Sequence, residues 1–186
     1  NKYPKVKLRI EEYHTQEIID HLRNGTLDAA IAATPLEEDD ILEQTLYYEP
    51  FVGYIPKHHN LQNKAYLQKD DISPDDVLLL EDGHCFKNNV LNLCQSDLSI
   101  TESKFNLESG SFETLMKLSD EGLGMTLLPY LHSLNIEGEA KSNIKPFEKP
   151  QPAREVSLIY HKSELKIHIV NALKELILGV VKGAIE

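Results

Sequence analysis

Tryptophan is absent from this 186-residue chain, and cysteine and methionine occur only twice each. Two cysteines are too few for the disulfide framework of a secreted scaffold, so a cytoplasmic location is the expectation. No stretch approaches the roughly 20 apolar residues of a membrane span, which argues against membrane insertion. No basic, apolar leader opens the sequence. Positive charge is also in short supply: 19 Lys and Arg stand against 30 Asp and Glu, for a formal net charge of −11. Phosphate binding needs Lys and Arg clustered on one face, and no such cluster occurs, so direct DNA contact by this segment is disfavoured. No H-E-x-x-H or C-x-x-C spacing supports a metal site. Glu121-Gly122-Leu123-Gly124 is the nearest approach to a phosphate loop and reads better as a helix stop.

What is present alternates between strand and helix patterns. Val6, Leu8 and Ile10 alternate with charged residues as a half-buried strand. Thr15 is placed to cap a helix carrying Ile18, Ile19 and Leu22, which Asn24-Gly25 stops. The apolar run Leu27 to Ala33 suits a parallel sheet. Glu37 to Asp40 reads as a solvated acidic loop. Strand patterns follow at Thr45 to Tyr48, Phe51 to Ile55, Val77 to Leu80, Lys104 to Leu107, Met125 to Leu128 and Val156 to Tyr160. Helices are expected over Cys85 to Gln95, Phe112 to Glu121 and from Glu164 onward, the last with Ile167, Val170, Leu173, Ile177 and Val181 packed on its own lobe. The order predicts an α/β fold with mainly parallel sheets.

Both cysteines fall in one run, Glu81-Asp82-Gly83-His84-Cys85-Phe86-Lys87-Asn88-Asn89-Val90-Leu91-Asn92-Leu93-Cys94. A thiol reacts as thiolate, which nearby positive charge or a helix N-terminus favours. Cys85 has His84 and Lys87 beside it, and follows an Asp82-Gly83 turn at the start of a segment with Phe86, Val90 and Leu93 at helical spacing. Cys94 comes nine positions later. On one continuous helix the two would lie about 13.5 Å apart. A disulfide needs Cα atoms within about 7 Å. Two readings follow: a pair of buried apolar cysteines, or a redox switch in which oxidation reroutes the segment.

Leu80-Glu81-Asp82-Gly83-His84-Cys85 with its second cysteine resembles the peroxide-sensing members of the LysR-type transcriptional regulators. Glu12-Tyr13-His14-Thr15-Gln16, Ser111-Phe112-Glu113-Thr114-Leu115 and Gly124-Met125-Thr126-Leu127-Leu128-Pro129 agree in order, so the likeness spans nearly the whole chain. The resemblance implies a regulatory domain of two Rossmann-like lobes joined by two crossing strands, as in type 2 periplasmic binding proteins. The crossings are expected near Glu49 to Phe51 and Pro152 to Val156. Residues 1–49 with 154–186 would form one discontinuous lobe, and residues 50–153 the lobe that carries the cysteines. The same resemblance implies a homodimer or tetramer, contact with DNA only through an N-terminal winged helix-turn-helix, RNA polymerase as a partner, and no cofactor. Relative to the family the chain is expected to be a fragment lacking that DNA-binding part and the first strand and helix of the regulatory domain.

The site implied by the resemblance has Cys85 as the thiolate that attacks hydrogen peroxide and Cys94 as the resolving partner. His84 would donate to the departing oxygen or stabilise the thiolate, against a purely local hydrogen-bonding role. Lys87 stands where the family often carries arginine; a compact ammonium lowers a thiol pKa but offers no bidentate fork. Thr15 matches a threonine that holds peroxide or water between the lobes, against its simpler role as a helix cap. Arg154, at the second crossing, would face that pocket or stand as an exposed hinge arginine. Ser111 would hold an anion or cap its helix. Three function classes remain open: a peroxide-sensing module, a LysR-type module answering a small acidic metabolite, and a thiol peroxidase, for which no dedicated motif is present.

Overall fold

A computed structural model describes residues 3–73, 75–80, 90 and 111–185. Its elements run α1 (Thr15–Arg23), β1 (Ala30–Thr34), β2 (Ile41–Tyr54), β3 (Val77–Leu78), α2 (Phe112–Asp120), β4 (Met125–Pro129), α3 (Tyr130–Ser133), β5 (Ile144–Pro146), β6 (Ala153–His161) and α4 (Ile167–Ile185). Short 3-10 turns occupy Asn60–Asn63, Lys69–Asp71 and Gly138–Asn143.

β2 belongs to two sheets. Its first part, Ile41 to Pro50, pairs antiparallel with β6 over His161 to Ala153, and β1 pairs antiparallel with the other edge of β6. Its last four residues pair with β4 and its last three also with β5. Pro50 does not interrupt it: Pro50 stands opposite Ala153, and the next amide, Phe51 N–H, donates to Pro152 O at 2.9 Å. One strand therefore replaces the two expected on either side of Pro50.

The expectation of mainly parallel sheets is corrected. Among the named strands of the described residues only β3 and β4 pair parallel, beside an isolated parallel bridge between Leu67 and Phe147, and the other ladders are antiparallel. β1 and β2 do run in one direction, but β6 returns between them from the far end of the chain. Apolar periodicity reports burial and carries no strand direction, which is why the sequence misleads here. Val6, Leu8 and Ile10 differ as well: they form no ladder among the described residues and are 42%, 68% and 79% exposed. Alternation makes a strand only where a partner edge takes its hydrogen bonds.

α1 begins at Thr15, the position expected for its cap, so the cap falls one residue earlier. His14 is the N-cap, its N–H donating to Glu17 Oε2 at 3.0 Å, and Thr15 is already helical. Asn24-Gly25 ends the helix as expected, with Gly25 at φ 67°. Gly122, at φ 86°, ends α2 in the same way. Gly124 is needed for a second reason, because a Cβ there would stand 2.4 Å from the Asp76 carbonyl oxygen. α4 starts at Ile167, after Glu164, whose carboxylate accepts from Lys166 N–H at 2.6 Å.

Packing follows the two sheets. Ile19 and Leu22 of α1 bury against Ala32, Ile41 and Ile159 on one face of the first sheet. Val170, Ile167, Leu173 and Ile177 of α4 meet Leu46, Leu158 and Tyr160 on the opposite face, as the helix periodicity predicts. The second sheet packs Phe51, Met125 and Leu127 with Leu67, Leu115 and Phe147. The loop at 37–40 is not simply solvated: Arg23 forks onto Asp40 with two contacts of 2.8 Å and also pairs with Glu38. These bonds hold Asp40 at a pKa of about 2, and tie the C-terminal turn of α1 to the start of β2.

Candidate functional site

Cys85, Cys94, His84 and Lys87, with the expected helix over 85–95 and strand over 104–107, lie outside the described residues, Val90 excepted. The described residues that bracket Cys85 in sequence are buried. Leu80, just beyond β3, is 4% exposed, and Val90, which is helical, is 1% exposed. Both belong to one apolar cluster with Leu115 of α2 and Met125 of β4. Any rerouting of the chain between them must therefore pull on this core. β3 itself is held firmly. Thr126 Oγ1 donates to Leu78 O at 2.9 Å, and Met125 N–H to Asp76 O at 2.8 Å. His59 accepts from Leu61 N–H through Nδ1, so Nε2 carries the hydrogen it gives to Asp76 Oδ2, 2.6 Å away.

Arg154 is not an exposed hinge arginine. Its Nε and Nη2 both donate to Glu49 Oε2, at 2.9 and 2.7 Å, while Glu49 Oε1 accepts from Leu131 N–H at 3.0 Å. Glu49 is 2% exposed, so a carboxylate is buried where β2 passes from one sheet to the other and joins β6 to α3. Arg154 also lines an open groove of about 1260 Å3 that reaches Tyr13, His14 and Glu17 at the start of α1, beside the half-buried Thr15. The structure thus brings the start of α1 and Arg154 to one depression.

Ser111 is the N-cap of α2 by backbone position, but its hydroxyl makes no capping bond. It donates instead to Glu113 Oε2 at 2.6 Å, and this bond is the first cause holding the Glu113 carboxyl below the usual carboxylate range. His132 of α3 packs on Phe112 with ring centroids 4.9 Å apart, and its Nε2 is 3.9 Å from Glu113.

A cluster that sequence reading did not anticipate surrounds Glu155. Tyr48 donates to one carboxylate oxygen at 2.8 Å; the hydroxyls of Thr34, Thr45 and Ser157 lie 3.0, 3.2 and 3.2 Å from the other, and Thr34 and Ser157 also share a hydrogen bond at 2.8 Å. The Tyr48 bond is the leading cause that holds this carboxyl below its ordinary range. Glu155 stands beside Arg154 on β6, so strand alternation sends the two side chains to opposite faces. The available signal was the i, i+2 pair Glu155 and Ser157 set among the apolar Val156, Leu158 and Ile159. Its other hydroxyl partners, Thr34, Thr45 and Tyr48, come from β1 and β2, more than a hundred residues away in sequence.

Residues 1–182 match the LysR substrate binding domain family model, and the chain belongs to that family. It is 30% identical over 159 residues to the hydrogen peroxide-inducible genes activator of Haemophilus influenzae, covering 85% of this chain and 52% of that protein. A probable activator of the same name from Mycobacterium leprae is 30% identical over 163 residues, covering 88% of this chain and 52% of that protein. The chain spans about half the length of the curated relatives it matches. Among solved structures, OxyR from Porphyromonas gingivalis superposes with a TM-score of 0.86 at 26% identity, over 100% of this chain and 84% of that one. The reduced OxyR regulatory domain of Pseudomonas aeruginosa gives 0.78 at 32% identity, over 94% of this chain and 82% of that one. A hydrogen-peroxide-bound OxyR mutant from Corynebacterium glutamicum gives 0.86 at 26% identity, over 99% of this chain and 58% of that one. The fold is accordingly the type 2 periplasmic-binding-like α/β arrangement of LysR-type regulatory domains.

Proposed function

We propose that this domain senses hydrogen peroxide for a LysR-type transcriptional regulator through a reversible Cys85–Cys94 disulfide. The observation that carries the reading is the position of Cys85 between the buried Leu80 and Val90, in a chain similar to OxyR regulatory domains. The Cys85 thiolate attacks one oxygen of the peroxide, the O–O bond breaks, and the second oxygen leaves as hydroxide to be protonated to water. The sulfenic acid so formed condenses with the Cys94 thiol, expelling a second water and completing a two-electron reduction of peroxide. His84 supplies a proton to the departing oxygen, and Lys87 favours the thiolate. Thr15 and Ser111 border the peroxide pocket with hydroxyls, and Arg154 contributes a donor whose charge Glu49 already balances.

In this reading residues 1–49 with 154–186 form one lobe and 50–153 the other, supported by the change of β2 ladder partners between Pro50 and Phe51. One oxidation per signal suffices, so the domain is a sensor and not a turning-over peroxidase. The full-length protein acts in the cytoplasm as a homodimer or tetramer, binds DNA through a separate winged helix-turn-helix, and communicates with RNA polymerase. Mass spectrometry after a stoichiometric peroxide pulse tests the chemistry. The expected product has lost two hydrogens and carries a peptide cross-link between Cys85 and Cys94. Oxidation without that cross-link defeats the proposal.

A further inference from the structure

β1 ends the first sheet: one of its edges pairs with β6, and the other meets no strand among the described residues. A free edge leaves a row of N–H and C=O groups without ladder partners. The groove that Arg154 lines follows this edge. It is bordered by Ala30 and Ile31 of β1 and by Leu8 and Ile10 of the extended segment that precedes α1. It also reaches Ile18 of α1 and Leu173 of α4, helices that cover opposite faces of the sheet. A depression that touches a strand edge and both covering helices has the shape of a place for one more strand, lying in the plane of the sheet and covered on both sides.

We propose that this groove is a strand-acceptor slot, filled by residues of the same polypeptide that precede Asn1 and that pair in parallel with β1 on one side and with Val6 to Ile10 on the other. Val6 to Ile10, α1 and β1 already stand in strand-helix-strand order, and a further strand joined to Val6 by a crossover repeats that unit. OxyR from Porphyromonas gingivalis matches 100% of this chain with 84% of its own, so that structure holds residues beyond those aligned here. Buried on both faces, the incoming strand needs a continuous apolar run of about five residues, the length of β1. Its arrival covers Ile31, Leu8 and Ile10, which are 49%, 68% and 79% exposed without it. Lys5, Lys7 and Arg9, which interleave with the apolar residues of their segment, then lie on the outermost strand, where charge discourages further pairing. The slot does not depend on the peroxide-sensing reading.

Amide hydrogen exchange on two forms of the protein tests this. One form is residues 1–186 alone, and the other adds about 30 of the natural residues before Asn1, enough for a strand and a crossover of a dozen or more. In the longer form the β1 amides should exchange at least about tenfold more slowly, with a smaller gain in β6, which is paired on both edges in either form. Ile31→Lys should cancel most of that gain in the longer form and leave the shorter one as it was, since Ile31 is half-exposed there. Equal β1 exchange in the two forms, or a gain that survives Ile31→Lys, overturns the proposal. Protection of β1 that rises with the concentration of the shorter form gives the slot to a second copy and overturns it as well. Should residues 1–186 alone fail to fold, wild type against Ile31→Lys in the longer form decides, and equal β1 protection in the two counts against the slot.

Discussion

Arg154 spends two of its donors on one oxygen of Glu49, and the other oxygen of that carboxylate takes the Leu131 amide. Three elements, β2, β6 and α3, thus meet on one buried charge. Removing Arg154 leaves the Glu49 carboxylate buried without its cation, whereas removing Glu49 leaves Arg154 at the edge of the open groove. Arg154→Ala should lower unfolding free energy by about 3–5 kcal/mol, and Glu49→Ala by less. Glu49→Ala also orphans the Leu131 amide. Urea melts of both single variants and the double check this. A double variant no more stable than the sum of the two single losses would mean the pair is not coupled.

Acid should weaken the junction of α1 and β2. Asp40 sits at about 2 against an ordinary 3.8, chiefly through its hydrogen bonds from Arg23. A carboxyl with a depressed folded pKa contributes stability that is present above its unfolded value and lost as pH falls through its folded one. The window is therefore from about 3.8 down to about 2. Thermal melts across it should show a steeper fall for wild type than for Asp40→Asn. Parallel curves would remove Asp40 from the acid response, and the site is too open for a large contribution.

Cys85 should outrun Cys94 in reaction with peroxide and have the lower thiol pKa, because the sequence sets His84 and Lys87 beside it and nearby positive charge favours thiolate. Competitive alkylation over a pH series measures both. Cys94→Ser should halt at the sulfenic acid, trapped by dimedone, with no structural change reaching the segment around Val90. Equal alkylation of the two thiols would take away the first step of the mechanism.

Gly124→Ala should destabilise the second sheet. The position has φ 141°, and the new methyl would sit 2.4 Å from the Asp76 carbonyl oxygen, a backbone atom that cannot swing aside. A loss of about 1–3 kcal/mol from backbone strain alone is expected, and the shift of Asp76 should loosen its bond with His59. The His59 ring resonances by NMR would register that loosening. An unchanged His59 alongside wild-type stability would show that the β3–β4 junction tolerates the methyl.

Much of the fold was legible because local chemistry decided it. Asn24-Gly25 and Glu121-Gly122 end helices by supplying a left-handed turn, and the apolar spacing of α4 marks the face it buries. What escaped reading depends on partners distant in sequence. The return of β6 between β1 and β2 leaves no mark in periodicity, and neither does the absence, among the described residues, of a ladder for Val6 to Ile10. Of the site, Arg154 was recognisable as a crossing residue, but its commitment to Glu49 was not, since the two lie 105 residues apart. Thr34, Thr45, Tyr48 and Ser157 are ordinary strand residues until Glu155 gathers their hydroxyls.

The placing of β6 between β1 and β2 has a consequence for synthesis on the ribosome. The Thr34 hydroxyl waits for a carboxylate 121 residues downstream, and both inner edges of β1 and β2 stay unpaired until His161 has emerged. The second sheet has no such dependence on β6, since β2, β3, β4 and β5 are complete by Pro146. Vectorial folding would therefore build the second sheet first and leave two open strand edges exposed in the nascent chain, a natural point for chaperone capture.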